Sequence, residues 1–516
     1  MAIPDLLDRG AMIDPGAPCL IMGEERFSYR EIQKLTNRIA NGLIALGYGF
    51  DRNAGVLCVN DPVGYACTLG IMRACMAYVP VNVFHSGETI RNLLDFFDVE
   101  VLFYQSRFHD MVAELRPTLP KIELLVCIEQ SRDDIPGLME WIEPFSDAAP
   151  GREIPPEATA WLQSTGGTTG ESKAVIMTHR QKHHITNMML MTTMNDPKPV
   201  MLVSAPITHG AGGLSYHVLA CGGTLVLLEK PDPQLVLAAI PKYGITRMFL
   251  PPTAIYRLLD QPNVRDVDFS SLKCFVCSAA PMSTSRLRQA IEVFGPVMAQ
   301  SYGQTEGIAI TLMYPEEHFV DGKIAPDSRL SSAGRPVPLL TKVVIMDDDN
   351  RAVPTGRAGE ICVRGDGLMK GYYKAPYATS RTIVDGWLHT GDVGFLDEEG
   401  YLHIVDRKKD MIISGGFNVY PGEIEQVISS IDGVRDCAVI GVPDDDWGEA
   451  VKAVVELSPG KVVGGNEIIA RCKVRLGSVK APKSVDFIEQ LPRSAVGKIL
   501  KRELRDMYWM SRERKI

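Results

Sequence analysis

Short apolar runs that end in small or polar residues recur between residues 55 and 279. GVLCVN (55–60), LVSAP (202–206), GTLVLLE (223–229), RMFLPP (247–252) and CFVCSA (274–279) each read as a buried strand. TLGIMRACMAYVPV (68–81) reads as a helix leading into a strand. Such strands alternating with helices predict parallel sheets covered on both faces, with ligands at the carboxyl ends of the strands. The texture changes after residue 330. TKVVIMDDDNRAVPTGRAGEICVRG (341–365) is two strands around an Asp/Asn-rich turn, an antiparallel signature. YLHIVDRKKDMIISGGFNVYP (401–421) reads as strand, charged knot, strand. There follow a helix-like EIEQVISSI (423–431), strand-like CAVIGV (437–442), AVKAVVEL (450–457) and SVDFIEQL (484–491), the loop PRSAVGK (492–498) and a basic helix ILKRELRDMYW (499–509). The five charges of the knot, Asp406–Asp410, are expected to lie outside any core and to divide the chain.

Composition adds a size and a compartment. The 516 residues, 45% hydrophobic and 23% charged, suit a globular protein of more than one domain. The 11 cysteines are scattered and odd in number, so neither a disulfide framework nor a zinc site is expected. MAIPDLLDRG lacks the charged and long apolar segments of a secretory leader, and no apolar run reaches the length of a membrane span. A cytoplasmic enzyme is expected. The net charge of −9 argues against nucleic acid as a partner. That charge is uneven: Arg471–Ile516 carries 13 Lys+Arg and 5 Asp+Glu, a net of +8, which leaves −17 for the rest. A basic tail on an acidic body is either a solvated face or a surface for a polyanionic ligand.

Candidate chemistry enters at STGGTTGESK (164–173), rich in glycine and hydroxyls and closed by a lysine. A Walker A loop needs lysine directly after its second glycine. Here Glu171 and Ser172 separate Gly170 from Lys173, and Ala174 stands where the metal-binding hydroxyl should be, so that reading fails on spacing. A flexible linker is also disfavoured, because strand-like TAWLQ (159–163) and AVIMT (174–178) flank the run. A loop between two strands that offers backbone N–H groups and hydroxyls to a triphosphate fits better.

The run resembles [ST]-[ST]-G-[ST]-T-G-x-P-K-G, the phosphate loop of the adenylate-forming superfamily: acyl- and aryl-CoA synthetases, peptide-synthetase adenylation domains and luciferases. Ser172 replaces the usual proline and Ala174 the usual glycine. Further motifs follow in the family's order: VIMTHR (175–180), APITHGAGG (205–213), SAAPM (278–282), QSYGQTEG (300–307), LHTGDVG (388–394), VDRKKDMIISGGFNVYPGEIE (405–425) and LPRSAVGK (491–498). The resemblance covers nearly the whole chain. It implies an α/β fold in which a large N-terminal domain of layered α/β subdomains, with a small β-barrel-like part, precedes a smaller mobile α+β C-terminal domain. The implied boundaries are 1–406, a hinge at 407–410, and 411–516.

The resemblance also implies roles. The carboxylate of an acid attacks the α-phosphorus of ATP, and a thiol then attacks the acyl-adenylate. Thr165, Thr168 and Thr169, with Gly166, Gly170 and Lys173, would hold phosphate oxygens. Glu306, with Thr165, would hold Mg²⁺, a hard cation suited to oxygen ligands. Tyr302 would lie against adenine, with Ser278, Ala279, Ala280, Ser301, Gly303, Gln304 and Thr305 around it. Asp392 would accept the ribose hydroxyls, and Arg407 would reach the ribose. Lys498 would bridge the acid and the α-phosphate, and Lys409 would be the hinge. His209, Ala211, Gly212, Gly213, Ala280, Gln300 and Gly303 would line the acyl pocket. Gly415, Gly416, Phe417, Trp447, Lys480 and Lys483 would meet CoA, although Ala481 stands where relatives often carry arginine.

Small residues at 208–213 and 278–281 predict an apolar and fairly large acid: aromatic, medium-to-long fatty, or polycyclic with a carboxylated side chain. NMMLMTTM (187–194) reads as ordinary core or as an adaptable pocket lining. The rival readings are a ligase that loads a carrier protein, a luciferase-like oxidase and a catalytically silent ligand-binding homologue. A homodimer is the assembly kept open.

Overall fold

A nine-stranded sheet is parallel through its centre, where Pro18–Met22, Thr224–Leu227, Val200–Val203, Arg247–Leu250, Cys274–Cys277 and Met298–Gln304 lie side by side. The computed structural model from which this is read describes residues 1–164, 173–191, 195–207, 210–337, 340–493 and 499–509. Gly307–Met313 returns antiparallel beside Met298–Gln304. A seven-stranded sheet sets Leu124–Cys127, Val99–Tyr104, Asn53–Leu57, Ala77–Pro80 and Thr159–Ser164 parallel, then adds Ala174–Thr178 and Gly371–Tyr372 antiparallel. Short apolar runs thus become the parallel strands that both faces of such sheets require.

Helices Pro4–Ile13, Tyr29–Ala45, Pro62–Arg73 and Gly210–Ala220 share one core with both sheets. Their starts are written locally. Ser28 and Glu31 form a capping box on Tyr29–Ala45, and Asp61 caps Pro62–Arg73 by accepting from the Gly64 amide at 2.8 Å.

The third sheet is the part expected to be barrel-like. Thr341–Met346, Gly359–Gly365, Trp387–Leu396, Ile383–Val384 and Leu402–Arg407 are all antiparallel. The small domain follows: strands Ile412–Ser414, Phe417–Val419, Val434–Asp444, Gly448–Leu457 and Ser484–Ile488, with helices Pro421–Ser429, Gly465–Lys480 and Lys501–Trp509. Its buried clusters begin at Ile412 and share no member with those of the preceding residues.

The charged knot lies outside the buried clusters, as expected, although Asp406 and Arg407 continue the strand Leu402–Arg407 opposite Val393 and Asp392, and only Lys408 and Lys409 of the five are exposed. One expectation needs correction. Cys274 and Cys277 have the C-x-x-C spacing that a reading of scattered cysteines passes over. Three residues apart on a strand, they point to opposite faces, and both are buried free thiols. Among the described residues no group of three His, Cys, Asp or Glu is placed to hold a metal, and no helix is long and apolar enough to cross a membrane.

Candidate active site

Three strands meet at one carboxylate. Asp392, buried on Trp387–Leu396, pairs in register with Arg407 of the neighbouring strand, whose Nε lies 3.0 Å from its Oδ1. Its Oδ2 accepts from the Tyr302 hydroxyl at 2.6 Å. Burial, then the adjacent Asp392 carboxylate, raises that hydroxyl well above the ordinary tyrosine range, so Tyr302 is a fixed donor. Thr390 supports the turn by donating to the Ile361 carbonyl at 2.7 Å and accepting from the Asp392 amide at 3.1 Å. Each oxygen of Asp392 has one protein partner and keeps lone pairs for a second donor. Asp392→Asn removes the charge and one acceptor. The KM for ATP is expected to rise by about tenfold to a hundredfold, the size of losing hydrogen bonds to a charged group. An unchanged KM in a pyrophosphate-release assay contradicts this role.

Tyr302 stands on Met298–Gln304, which turns back through Thr305 and Glu306 into Gly307–Met313, Gln304 pairing with Gly307. The register shifts between Tyr302 and Gln304, placing Gly303 at an irregularity of the kind that re-aims side chains beside sites. Gln304 donates to the Thr390 carbonyl at 3.3 Å. Ser278 donates to the Ser301 carbonyl at 2.6 Å, tying the end of Cys274–Cys277 to this strand. The next residue, Ala279, is exposed with φ +76°, a backbone state costly for any side chain and characteristic of functional sites. Ala280 follows, half-buried.

Glu306 is held by a residue the motifs do not contain. Tyr372 donates to its Oε1 at 2.9 Å, and the Met369 amide donates to its carbonyl at 2.7 Å. Tyr372 pairs with Val175 on the strand directly after the glycine-rich run, and Lys173 Nζ lies 4.7 Å from the centre of its ring. Lys173, Tyr372 and Glu306 therefore form one connected group. No local signal marks Tyr372, because its contact with Glu306 joins positions 66 apart in the chain.

The remaining expected positions divide. Thr165, Gly166, Thr168, Thr169, Gly170, His209 and Lys498 lie outside the described residues. Ala211 is buried, and a Cβ on Gly212 would stand 2.0 Å from the Ile207 carbonyl oxygen. Gly212→Ala is expected to cost about 1–3 kcal/mol of overpacking and lower the thermal midpoint by several degrees; an unshifted midpoint refutes the close approach. Gln300 turns its amide to Met313 Sδ, His318 Nε2 and the Leu330 carbonyl, none of them expected at the site. Met188 and Met189 pack with Val276, Ala299 and Leu312, which is ordinary core.

In the small domain, Gly415 and Gly416, both with positive φ, form the two-residue turn between Ile412–Ser414 and Phe417–Val419. The Gly415 amide donates to the Trp447 carbonyl at 2.8 Å, and Lys483 Nζ lies 4.9 Å from the centre of a Trp447 ring. Gly415, Trp447 and Lys483 are thus together, whereas Lys480 is paired with Glu423. Gly415, Gly416 and Phe417 are exposed. Arg493 donates to Asp436 at 2.6 Å. Burial chiefly, with Asp436 as a lesser cause, raises the hydroxyl of Tyr256 across the boundary. Lys409 is exposed between two anchored neighbours: the Lys408 amide donates to the Gly391 carbonyl at 2.8 Å and the Asp410 amide to the Arg407 carbonyl at 2.9 Å.

Residues 7–373 match the AMP-binding enzyme family and residues 423–498 the AMP-binding enzyme C-terminal domain. The chain is 40% identical over 365 residues to a medium/long-chain fatty-acid–CoA ligase of Mycobacterium tuberculosis, a match spanning 69% of this chain and 62% of that one. It is 33% identical over 504 residues to a feruloyl-CoA synthase of Amycolatopsis sp, spanning 96% and 97%. The structure of an amide bond synthetase from Marinactinospora thermotolerans superposes with a TM-score of 0.89 at 28% identity, covering 98% and 100%.

Proposed function

Because this chain belongs to the AMP-binding enzyme family, we propose that it is an ATP-dependent, AMP-forming ligase that joins a hydrophobic carboxylic acid to the thiol of CoA. The observation that carries the reading is the convergence of Tyr302, Asp392 and Arg407 at one strand end, with the Lys173–Tyr372–Glu306 group beside the glycine-rich run.

In the first step a carboxylate oxygen bonds to the α-phosphorus of ATP, the bond to the bridging oxygen breaks, and pyrophosphate leaves. Negative charge gathers there, so preorganised donors and cations are the main catalytic need. Thr165, Thr168, Thr169 and Lys173 meet the outer phosphates, Asp392 and Arg407 hold the ribose, Tyr302 backs the base, and Lys498 offsets repulsion between the acid and the phosphate. Glu306 fits Mg²⁺: it is a hard oxygen donor with Oε1 fixed by Tyr372. Among the described residues no further carboxylate, histidine or cysteine joins it in a metal cage, which suits an ion held mostly by phosphates and water. Bound there, Mg²⁺ would neutralise phosphate charge.

In the second step the CoA sulfur attacks the acyl carbon, the acyl–phosphate bond breaks, AMP leaves with the electron pair, and the thiol proton passes to solvent. Residues 1–406 and 411–516 act as two bodies about the hinge 407–410, presenting Lys498 first and Gly415–Phe417 second. Trp447 and Lys483 form the CoA surface beside that turn. The acid is fatty, aromatic or polycyclic, and the cytoplasm is where ATP and CoA would be met. A carrier protein is the alternative thiol donor.

Exchange of labelled pyrophosphate into ATP isolates the first step. It is expected with a productive acid and without CoA. Absence of exchange across fatty, aromatic and polycyclic acids, in folded protein, removes the reading.

A further inference from the structure

Helix His179–Met191 carries a lysine where nothing in its surroundings balances a charge. Lys182 is 2% exposed, its Nζ lies 3.5 Å from the centre of a Trp161 ring, and among the described residues no carboxylate or hydrogen-bond acceptor meets that nitrogen. Burial alone lowers its pKa to about 7. Around it the pattern repeats. Among the described residues, Trp161 Nε1, Tyr216 OH and Tyr78 OH are buried without a hydrogen-bond partner; the Trp161 and Tyr216 polar atoms are near each other but not in hydrogen-bond geometry. The three rings are packed edge to face, Tyr78 to Trp161 at 5.1 Å and Trp161 to Tyr216 at 6.4 Å. All four groups can donate. A buried polar group left unpaired costs on the order of 1–3 kcal/mol, and the Trp161 face offsets part of this for the lysine.

This cluster adjoins the expected acyl wall. A Cβ on Gly213 would lie 3.6 Å from Lys182 Nζ, so Gly213 keeps the amine's side of the helix start free of side chain, and Gly212 beside it lets the Ile207 carbonyl approach next to the Trp161 ring. The wholly apolar acid predicted from residues 208–213 and 278–281 takes no account of Lys182, which arrives from another helix.

We propose that Lys182 is a specificity-determining residue of the acyl site, donating a hydrogen bond to an oxygen acceptor that the acid carries away from its reacting carboxyl. The acceptor is a carbonyl, a hydroxyl or a second carboxylate. The assignment rests on the ligase reading above and narrows its substrate class from hydrocarbon acids to oxygenated ones. A site with buried donors discriminates strongly against analogues that leave them unmatched.

The test uses straight-chain acids of increasing length, each as the plain acid, the keto acid and the dicarboxylate, with cinnamate against its ring-hydroxylated form. The readouts are kcat/KM for AMP formation with CoA, and thermal shift by each acid alone. The wild type should favour the best oxygenated acid over its plain counterpart by at least about tenfold. Lys182→Met should bring that ratio near one, through loss on the oxygenated acid, with the KM for ATP unchanged. Lys182→Gln, which keeps a shorter donor, should also reduce it and serves if the methionine variant does not fold. A preference for the dicarboxylate identifies an anionic acceptor, and one for the keto or hydroxy acid a neutral one; either supports the assignment. A wild-type ratio near one, or a variant that keeps the wild-type ratio, overturns it. Turnover without any such ratio leaves the ligase reading intact. Thermal shifts that rank oxygenated acids first, with no AMP from any acid, remove the ligase reading and leave the binding assignment.

Discussion

Lys498→Gln should lower acyl-adenylate formation by about 100- to 1,000-fold, the cost of removing one group that stabilises charge in the transition state. Thioester formation from supplied acyl-adenylate should stay near its normal rate. The reasoning is electrostatic. Two anionic partners, a carboxylate and an α-phosphate, must come within bonding distance, and an ammonium between them offsets that repulsion. In the second half-reaction a thiol attacks an acyl carbon whose leaving group is already in place, and the bridge has no further task. The loop that ends at Lys498 is anchored on both sides. Arg493 forms a β-bridge with Ile499, the Leu500 amide donates to the Pro492 carbonyl at 2.8 Å, and Arg493 binds Asp436. Equal loss of both half-reactions, measured separately, contradicts this division of labour.

Lys409→Pro should give the opposite pattern: adenylate formation close to wild type, thioester formation reduced to background. Proline fixes φ near −65° and disfavours the helical region for the residue before it, so it removes rotation at one position and narrows it at Lys408. The Lys408 and Asp410 amides are held by the Gly391 and Arg407 carbonyls, so a rotation at position 409 would turn one anchored segment against the other. In the structure the Gly415–Phe417 turn is exposed. A chain unable to rotate is expected to serve the first step and not the second. Normal thioester synthesis by Lys409→Pro, from supplied adenylate and CoA, would count against rotation between the steps.

Much of this architecture is written locally. CFVCSA, RMFLPP and GTLVLLE become central parallel strands because β-branched and apolar runs between turn residues satisfy both faces of a covered sheet. LHTGDVG and VDRKK single out Asp392 and Arg407 through the family resemblance alone, and strand register brings the two residues opposite each other. What was not legible depends on contacts between distant segments. Tyr372 reaches Glu306 only once Gly371–Tyr372 has paired with Ala174–Thr178. Lys182 reads as one more charge on a polar helix until Trp161, from a strand, covers it. Asp406 and Arg407 belong to a run of charges expected outside any core, yet strand pairing half-buries both, and the Asp392 carboxylate holds Arg407. Gln300 sits inside a site motif, but its side chain is taken up by His318 and Leu330.

The central claim is that an acid is first joined to AMP and then passed to CoA. The most direct measurement follows pyrophosphate and product mass together, with ATP and Mg²⁺, for fatty, aromatic and polycyclic acids, each with and without CoA. The account predicts that a productive acid releases pyrophosphate continuously only when CoA is present, and that the acyl-CoA mass appears in step with AMP. A single burst of pyrophosphate that CoA does not convert to turnover would contradict CoA as the acceptor and leave a carrier protein in its place.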